Sequence, residues 1–300
     1  MKLTFFSAHD NMTQCYQTTI VKCDTGQKIS VRDVGMENIM KKIVALIGTL
    51  VLAFGMLTGC GSKGNTFTVG FDANFPPYGY RADNGDYVGF DLDLAKEVCE
   101  RNGWELVKQP IEWNSKDNEL KSGAIDCIWN GFTINGREDL YTWTTPYVDN
   151  SQVFVVPANS GVSAKADLAG KKVAVQKDSS ALSALNDEEN AENIALRDSF
   201  KELIEYADYN TAFMDLEQGA VDAVAIDIGV ASYQIEQREA GAFVMLSEAL
   251  ATEQYGVGFL LGNEELRDKV QKTLDEMAAD GTFAKIAENW GLTDSICIGK

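Results

Sequence analysis

Histidine is all but missing from this chain. The single copy, His9, lies upstream of a stretch that reads as a leader, so histidine-based acid–base chemistry, histidine metal ligation and any Ser-His-Asp or Cys-His triad are excluded from the domain that follows. Basic residues are also scarce. With 26 Lys and Arg against 45 Asp and Glu, the formal charge is −19, and clustered cations able to neutralise phosphates are lacking, so no nucleic-acid partner is expected. The six cysteines are Cys15, Cys23, Cys60, Cys99, Cys127 and Cys297, and they form no C-x-x-C pair and no metal-ligand spacing. Neither a metal nor a cofactor is expected. Cys99 and Cys127 fall in apolar patterns, where a free buried thiol is the ordinary arrangement.

Hydrophobic residues make up 45% of the 300 positions, enough for one large or two modest domains. Lys41 and Lys42 precede an uncharged, mostly apolar run from Ile43 to Met56, which has signal-peptide length and is short for a membrane span. It ends in Leu57-Thr58-Gly59-Cys60, which resembles the lipobox of bacterial lipoproteins. The expectation is a signal peptide over 36–59, beginning at Met36 or Met40, with 1–35 a segment upstream of the true start. Lipidated Cys60 then opens the mature chain, 60–65 is a small polar tether, and the protein is anchored by lipid to the outer face of the cell membrane.

From Thr66 onward, short apolar strands alternate with amphipathic helices, the pattern of an α/β fold with mainly parallel sheets. Asp83-Asn84-Gly85-Asp86 reads as a hairpin turn. Asp91 is expected to cap a helix whose Leu92, Ala95, Val98 and Cys99 share a face and which Gly103 stops. A weak repeat is more informative: Leu120-Lys121-Ser122-Gly123-Ala124-Ile125-Asp126 recurs as Leu216-Glu217-Gln218-Gly219-Ala220-Val221-Asp222, implying two similar lobes and a cleft. Lobe one is expected over 66–150 and 253–300 and lobe two over 151–252, with crossings near Asn150 and Thr252.

Ligands in open α/β sheets gather past the carboxyl ends of strands, and the residues there are Asp72, Asn130, Gln176 and Asp227. The turn Asp72–Tyr78 brings Phe75 to the cleft rim. Trp129–Arg137 combines the Thr133 hydroxyl, amides exposed by Gly131 and the Arg137 guanidinium, a set suited to a carboxylate, each charge-assisted bond contributing about 1.5–3 kcal/mol. Arg137 would serve equally as a solvated surface charge. Asp178-Ser179-Ser180-Ala181 opens a helix whose free N–H groups offer a second anion point, although an ordinary N-cap uses the same residues. Asp227 ends the apolar strand Ala223–Ile226, where a carboxylate is costly unless a cation meets it.

From Phe67 to Trp290 the sequence resembles the bacterial extracellular solute-binding proteins of family three, which bind polar amino acids for ABC importers. The matching stretches are Val69–Tyr78, Val88–Ala95, Gly123–Arg137, Gly170–Ser180, Gly219–Asp227, Tyr255–Val257 and Asp280–Phe283. The resemblance implies a two-lobed periplasmic-binding-protein-like fold (type II) with the ligand between lobes. It implies that Arg137, Thr133 and the Ser180 amide hold an α-carboxylate while Asp227 and backbone near Asn130 hold the ammonium. Phe75 and Trp113 would flank the ligand side chain, Gln176 stands where the family varies its selector, and Asp72 faces the same pocket. The stretch from Thr133 to Arg137 is one residue shorter than the common spacing, and Asp178 replaces a usual glycine. Implied partners are a polar amino acid, an ABC permease and, through it, an ATPase, with the binding protein a monomer. No catalytic residue is assigned. The same fold also serves periplasmic dehydratases of cyclohexadienyl amino acids, which need a general acid for which Asp72 and Glu112 are the candidates, and a ligand-sensing module is a further alternative.

Overall fold

A computed structural model describes residues 65–299. The segment 1–35, the leader expected over 36–59, Cys60 and the tether up to residue 64 lie outside the described residues. The chain begins with β1 (Thr66–Phe71), β2 (Asn74–Phe75), β3 (Gly79–Arg81), β4 (Tyr87–Val88) and helix α1 (Phe90–Asn102). Next come β5 (Glu105–Pro110), a 3-10 turn at Trp113–Ser115, α2 (Lys116–Ser122), β6 (Cys127–Ile128) and β7 (Tyr141–Trp143). The middle of the chain forms β8 (Val148–Pro157), β9 (Lys172–Gln176), α3 (Ser180–Leu185), α4 (Ala191–Ser199), β10 (Glu202–Tyr206), α5 (Tyr209–Glu217) and β11 (Ala223–Asp227). It closes with α6 (Ile228–Glu236), β12 (Phe243–Met245), β13 (Ala251–Tyr255), β14 (Gly258–Leu260), α7 (Glu264–Asp280) and α8 (Thr282–Asn289).

Two sheets result. One runs β5-β1-β6-β14-β7, the other β10-β9-β11-β8-β12 with β13 also paired to β8. In the first, β5, β1 and β6 are parallel and β14 enters antiparallel between β6 and β7. In the second, β10, β9 and β11 are parallel, and β8 runs against β11, β12 and β13. This is the expected two-lobed fold, each lobe a mixed sheet flanked by helices. The chain leaves the first sheet after Trp143 and returns at Gly258, and the strands beside these crossings, β8 and β13, pair Val148 with Tyr255 and Asn150 with Glu253.

Local structure follows the side-chain periodicities. On α1 the expected face of Leu92, Ala95, Val98 and Cys99 is buried, joined by Leu94, and Gly103 at φ 65 closes the helix by donating to Cys99 and Glu100 carbonyls. The expectation for Asp91 is corrected. The helix starts two residues earlier, with Gly89 in the cap position, and Asp91 is wholly buried, its carboxylate accepting the Gly131 N–H at 2.6 Å and the Tyr147 hydroxyl at 2.9 Å. On α7, Val270, Leu274 and Met277 are buried, each contributing about 1.5–3 kcal/mol by leaving water.

The internal repeat has a structural counterpart. Gly123 and Gly219 take φ 74 and φ 70 after their helices, the left-handed conformation that a side chain resists. Asp126 then donates its N–H to the Thr68 carbonyl and accepts the Thr68 N–H on its carboxylate, and Asp222 does the same with Lys172. Each lobe thus ties the start of its neighbouring strand with one aspartate.

Candidate ligand-binding site

The carboxyl ends of β1, β6, β9 and β11 converge, and there Asp72, Asn130, Gln176 and Asp227 are all buried. Asn130 Oδ1 accepts the Asp72 N–H at 2.9 Å, and Gln176 of the second sheet donates to Asp72 Oδ2 at 2.7 Å. A pocket lies beside them, lined by Phe75, Trp113, Asn130, Gly131, Thr133, Gln176, Ser179, Ser180 and Asp227. Phe75, itself buried, forms one wall with Tyr78 at 5.8 Å and Tyr209 of the other lobe at 6.1 Å between ring centroids. Gly131 has φ 56, and a Cβ there would lie 2.8 Å from the Phe75 ring, so only glycine keeps this backbone against the wall.

One end of the pocket is acidic. Asp227 Oδ1 accepts from Asn150 at 2.8 Å, Gln152 at 2.7 Å and the Tyr255 hydroxyl at 2.6 Å. The same two amides also donate to Glu253 Oε1, at 2.7 and 2.8 Å, and the Thr133 hydroxyl joins them at 2.8 Å. Two carboxylates therefore share one set of donors. Burial, and then the neighbouring Glu253 carboxylate, push Asp227 up to about 7 from 3.8. Of the two, Asp227 lines the pocket and Glu253 does not, so a cation entering here would meet Asp227, with the Glu253 charge behind it.

The opposite end is furnished with donors. Ser179, rather than Ser180 or Asp178, caps α3 by accepting the Leu182 N–H, which leaves the Ser180 hydroxyl to accept from Arg137 Nη1 at 2.9 Å. Arg137 stands over the Phe132 ring at 5.5 Å and reaches from the β6–β7 connection across to the second lobe, outside the pocket wall proper. Asp72 likewise lies just beyond the wall, at the head of a wider chamber that also exposes Glu112, Glu119 and Asp208. Burial is the main cause that lifts its carboxyl to about 6, with Asp208 and Glu112 adding to the lift and bonds from Asn74 and Gln176 opposing it.

The family model for bacterial extracellular solute-binding proteins, family 3, matches residues 67–293. The chain belongs to that family. Among curated relatives of this solute-binding protein, the L-cystine-binding protein TcyJ of Escherichia coli (strain K12) is 30% identical over 254 residues, covering 82% of this chain and 91% of the relative. Among solved structures, an ABC uptake transporter substrate-binding protein from Streptococcus pneumoniae with bound histidine superposes with a TM-score of 0.71 at 32% identity, covering 75% of this chain and 92% of that one. The ancestral amino acid-binding protein AncCDT-1, a precursor of cyclohexadienyl dehydratase, superposes with a TM-score of 0.68 at 27% identity, covering 75% and 95%. Among the described residues, no helix is long and apolar enough to cross a membrane.

In this solute-binding protein, eight of the residues singled out from sequence line one pocket: Phe75, Trp113, Asn130, Gly131, Thr133, Gln176, Ser180 and Asp227. Asp72 and Arg137 flank it. Three others were missed. Glu253 shares the parity of Tyr255 on β13, and both face inward, so period-two alternation would have pointed to it. Asn150 and Gln152 likewise share the inward face of β8, but Asp149 and Ser151 between and beside them are polar too, so hydropathy alone does not mark which face is inward.

Proposed function

We propose that this protein is the extracytoplasmic substrate-binding component of an ABC importer, capturing a polar L-amino acid between its lobes and delivering it to a membrane permease and, through it, an ATPase. One observation carries the reading: a pocket lined by buried Asp227 is also lined by Ser180, on which Arg137 Nη1 donates from just outside the wall, supplying an acceptor and donors for the two charges of a zwitterion. Asp227 receives the ammonium, with Asn130 beside it. Arg137, the Ser180 amide and Thr133, whose hydroxyl would turn from Glu253 to do so, take the carboxylate, while Phe75 and Trp113 flank the side chain and Gln176 and Asp72 select it. We assign lobe one to 66–150 and 253–300, lobe two to 151–252, and the hinge to the crossings beside β8 and β13. The protein acts as a monomer tethered by lipidated Cys60. Calorimetry against the twenty standard amino acids and L-cystine tests the reading, and no binding to any of them refutes it. Replacing Cys60 by Ser releases the protein from membranes if the anchor is as assigned.

A second reading, a dehydratase of cyclohexadienyl amino acids, has one observation in its favour. Asp72 is a buried carboxyl lifted to about 6, in the range of a general acid at neutral pH. Both Asp72 oxygens are nonetheless occupied, by the Asn74 N–H and Gln176, which favours a recognition role. Ultraviolet absorbance during incubation with arogenate or prephenate separates the two, since only an enzyme changes the spectrum.

A further inference from the structure

Asp178, the residue between β9 and the cap of α3, receives three donors from the other lobe. Its carboxylate pairs with the Lys116 ammonium of α2. Its carbonyl accepts Trp113 Nε1 at 3.2 Å and Arg137 Nη2 at 3.5 Å. Trp113 is a wall of the pocket and Arg137 stands at its donor end, so a single residue of lobe two grips both. Asp178 is also the only non-glycine residue with positive φ among the described residues, at 59°. Non-glycine side chains visit that region seldom, aspartate and asparagine more than most. A glycine at this position would supply the carbonyl but no carboxylate.

Lys116 makes that carboxylate matter. Its side chain is 3% exposed against 48% for Asp178, and its ammonium lies 5.2 Å from the centre of the Trp113 ring. Asp178 is its only ion-pair partner among the described residues. A buried ammonium without a counter-ion is strongly unfavourable, and a partly buried pair is screened less by salt than a surface one. The pair joins α2 of lobe one to the β9–α3 connection of lobe two, so it exists only while the lobes are together. When they part, Lys116 regains water and Trp113 and Arg137 lose the carbonyl that orients them.

We infer that Asp178 is a positioning residue that latches the closed lobes through Lys116 and holds Trp113 and Arg137 in their ligand-facing places, setting how long a captured ligand stays enclosed. The inference rests on the amino-acid reading only for ligand release. Its contacts are between lobes and can be tested without any ligand.

Four variants suffice: Asp178→Asn and Asp178→Gly, both compatible with the backbone, Lys116→Met, and the charge exchange Lys116→Glu with Asp178→Lys. Small-angle scattering of the unliganded proteins reports closure. Stopped-flow tryptophan fluorescence reports dissociation of the best-bound member of the amino-acid panel. The first three variants are expected to scatter as more open molecules, or to release ligand about ten-fold faster with association little changed, while their thermal midpoints stay within a few degrees of wild type. The charge exchange should restore much of the wild-type behaviour, which a merely structural role at either position would not produce. Unchanged scattering together with dissociation within two-fold of wild type overturns the inference, as does failure of the exchange to rescue. If no amino acid binds wild type, the functional reading fails, and scattering alone still decides the latch.

Discussion

Replacing Asp227 by Asn keeps the side chain's size and removes its charge, and two opposite effects should follow. In the ligand-bound protein the ammonium loses its counter-charge in a site closed to water. Removing one partner of a buried charge pair is unfavourable by about 3–5 kcal/mol, and a micromolar affinity corresponds to about 8 kcal/mol, so binding should fall to the millimolar range or beyond. In the empty protein the effect reverses. Burial and Glu253 lift Asp227 from 3.8 to about 7, so holding it ionised above pH 7 is unfavourable by about 4 kcal/mol at most. Asparagine escapes that and can keep its Oδ1 toward the Asn150, Gln152 and Tyr255 donors, but a neutral amide oxygen accepts more weakly than a carboxylate, which offsets part of the gain. A net stabilisation of about 2 kcal/mol, or a midpoint about 4–8 °C higher at pH 8, is expected. Calorimetry against the amino-acid panel and a thermal melt read the two effects on one sample. Affinity within about three-fold of wild type, which is under ~1 kcal/mol, would falsify the assigned role. A lowered midpoint would instead show that the shared donors, and not the repulsion, dominate the empty site.

Three more outcomes are expected. Asp72, Asp91 and Asp227 have folded values of about 6, 7 and 7 against 3.8, so between pH 4 and 7 the folded state binds more protons than the unfolded one and stability falls as pH rises; melts at constant ionic strength should show a falling midpoint across that window, and a rising one contradicts these environments. A Cβ at Gly229 on α6 would lie 2.4 Å from the hydroxyl of buried Tyr78 in the other lobe, so Gly229→Ala should hold the lobes apart and weaken binding by about ten-fold or more, about 1.4 kcal/mol, at nearly unchanged unliganded stability; calorimetry with scattering checks this, and tight binding in a closed form refutes it. Gln176→Ala frees Asp72 Oδ2 of its partner across the lobes and should reorder amino-acid preference; a uniform loss across the panel would place Gln176 among the structural residues.

The fold was legible because both lobes obey simple periodicities: strands that read as apolar runs, helices with a buried stripe, and a repeat ending in Asp126 and Asp222 whose paired backbone and carboxylate bonds are nearly identical. The pocket-lining aspartate, Asp227, was legible for a similar reason. A charged residue closing the run Ala223–Ile226 has no bland place to go. Alternation on β13 turns Glu253 inward with Tyr255, but its meeting with Asp227 depends on the pairing of β13 with β8, and one sequence does not reveal which strands are neighbours. Asp91 misled for the opposite reason. Its position before an apolar helical stripe is that of a cap, whereas burial against Gly131 and Tyr147 gives it a role in supporting the Gly131 backbone. The ion pair at Asp178 joins residues 62 positions apart, and spacing alone could not have revealed it.

The position of β14 in the first sheet bears on the order in which the molecule can be assembled. Strands β8 to β13 come from one continuous stretch, and its two ends, Val148 and Tyr255, pair side by side. That sheet has all its strands once residue 255 has emerged from the ribosome or the export channel. The first sheet does not, because β14, the strand that lies between β6 and β7 and pairs with both, arrives only with Gly258–Leu260. The half of the molecule that begins the fold is therefore the half that finishes last, and during synthesis its buried edge at β6 stays open for more than a hundred residues of chain growth.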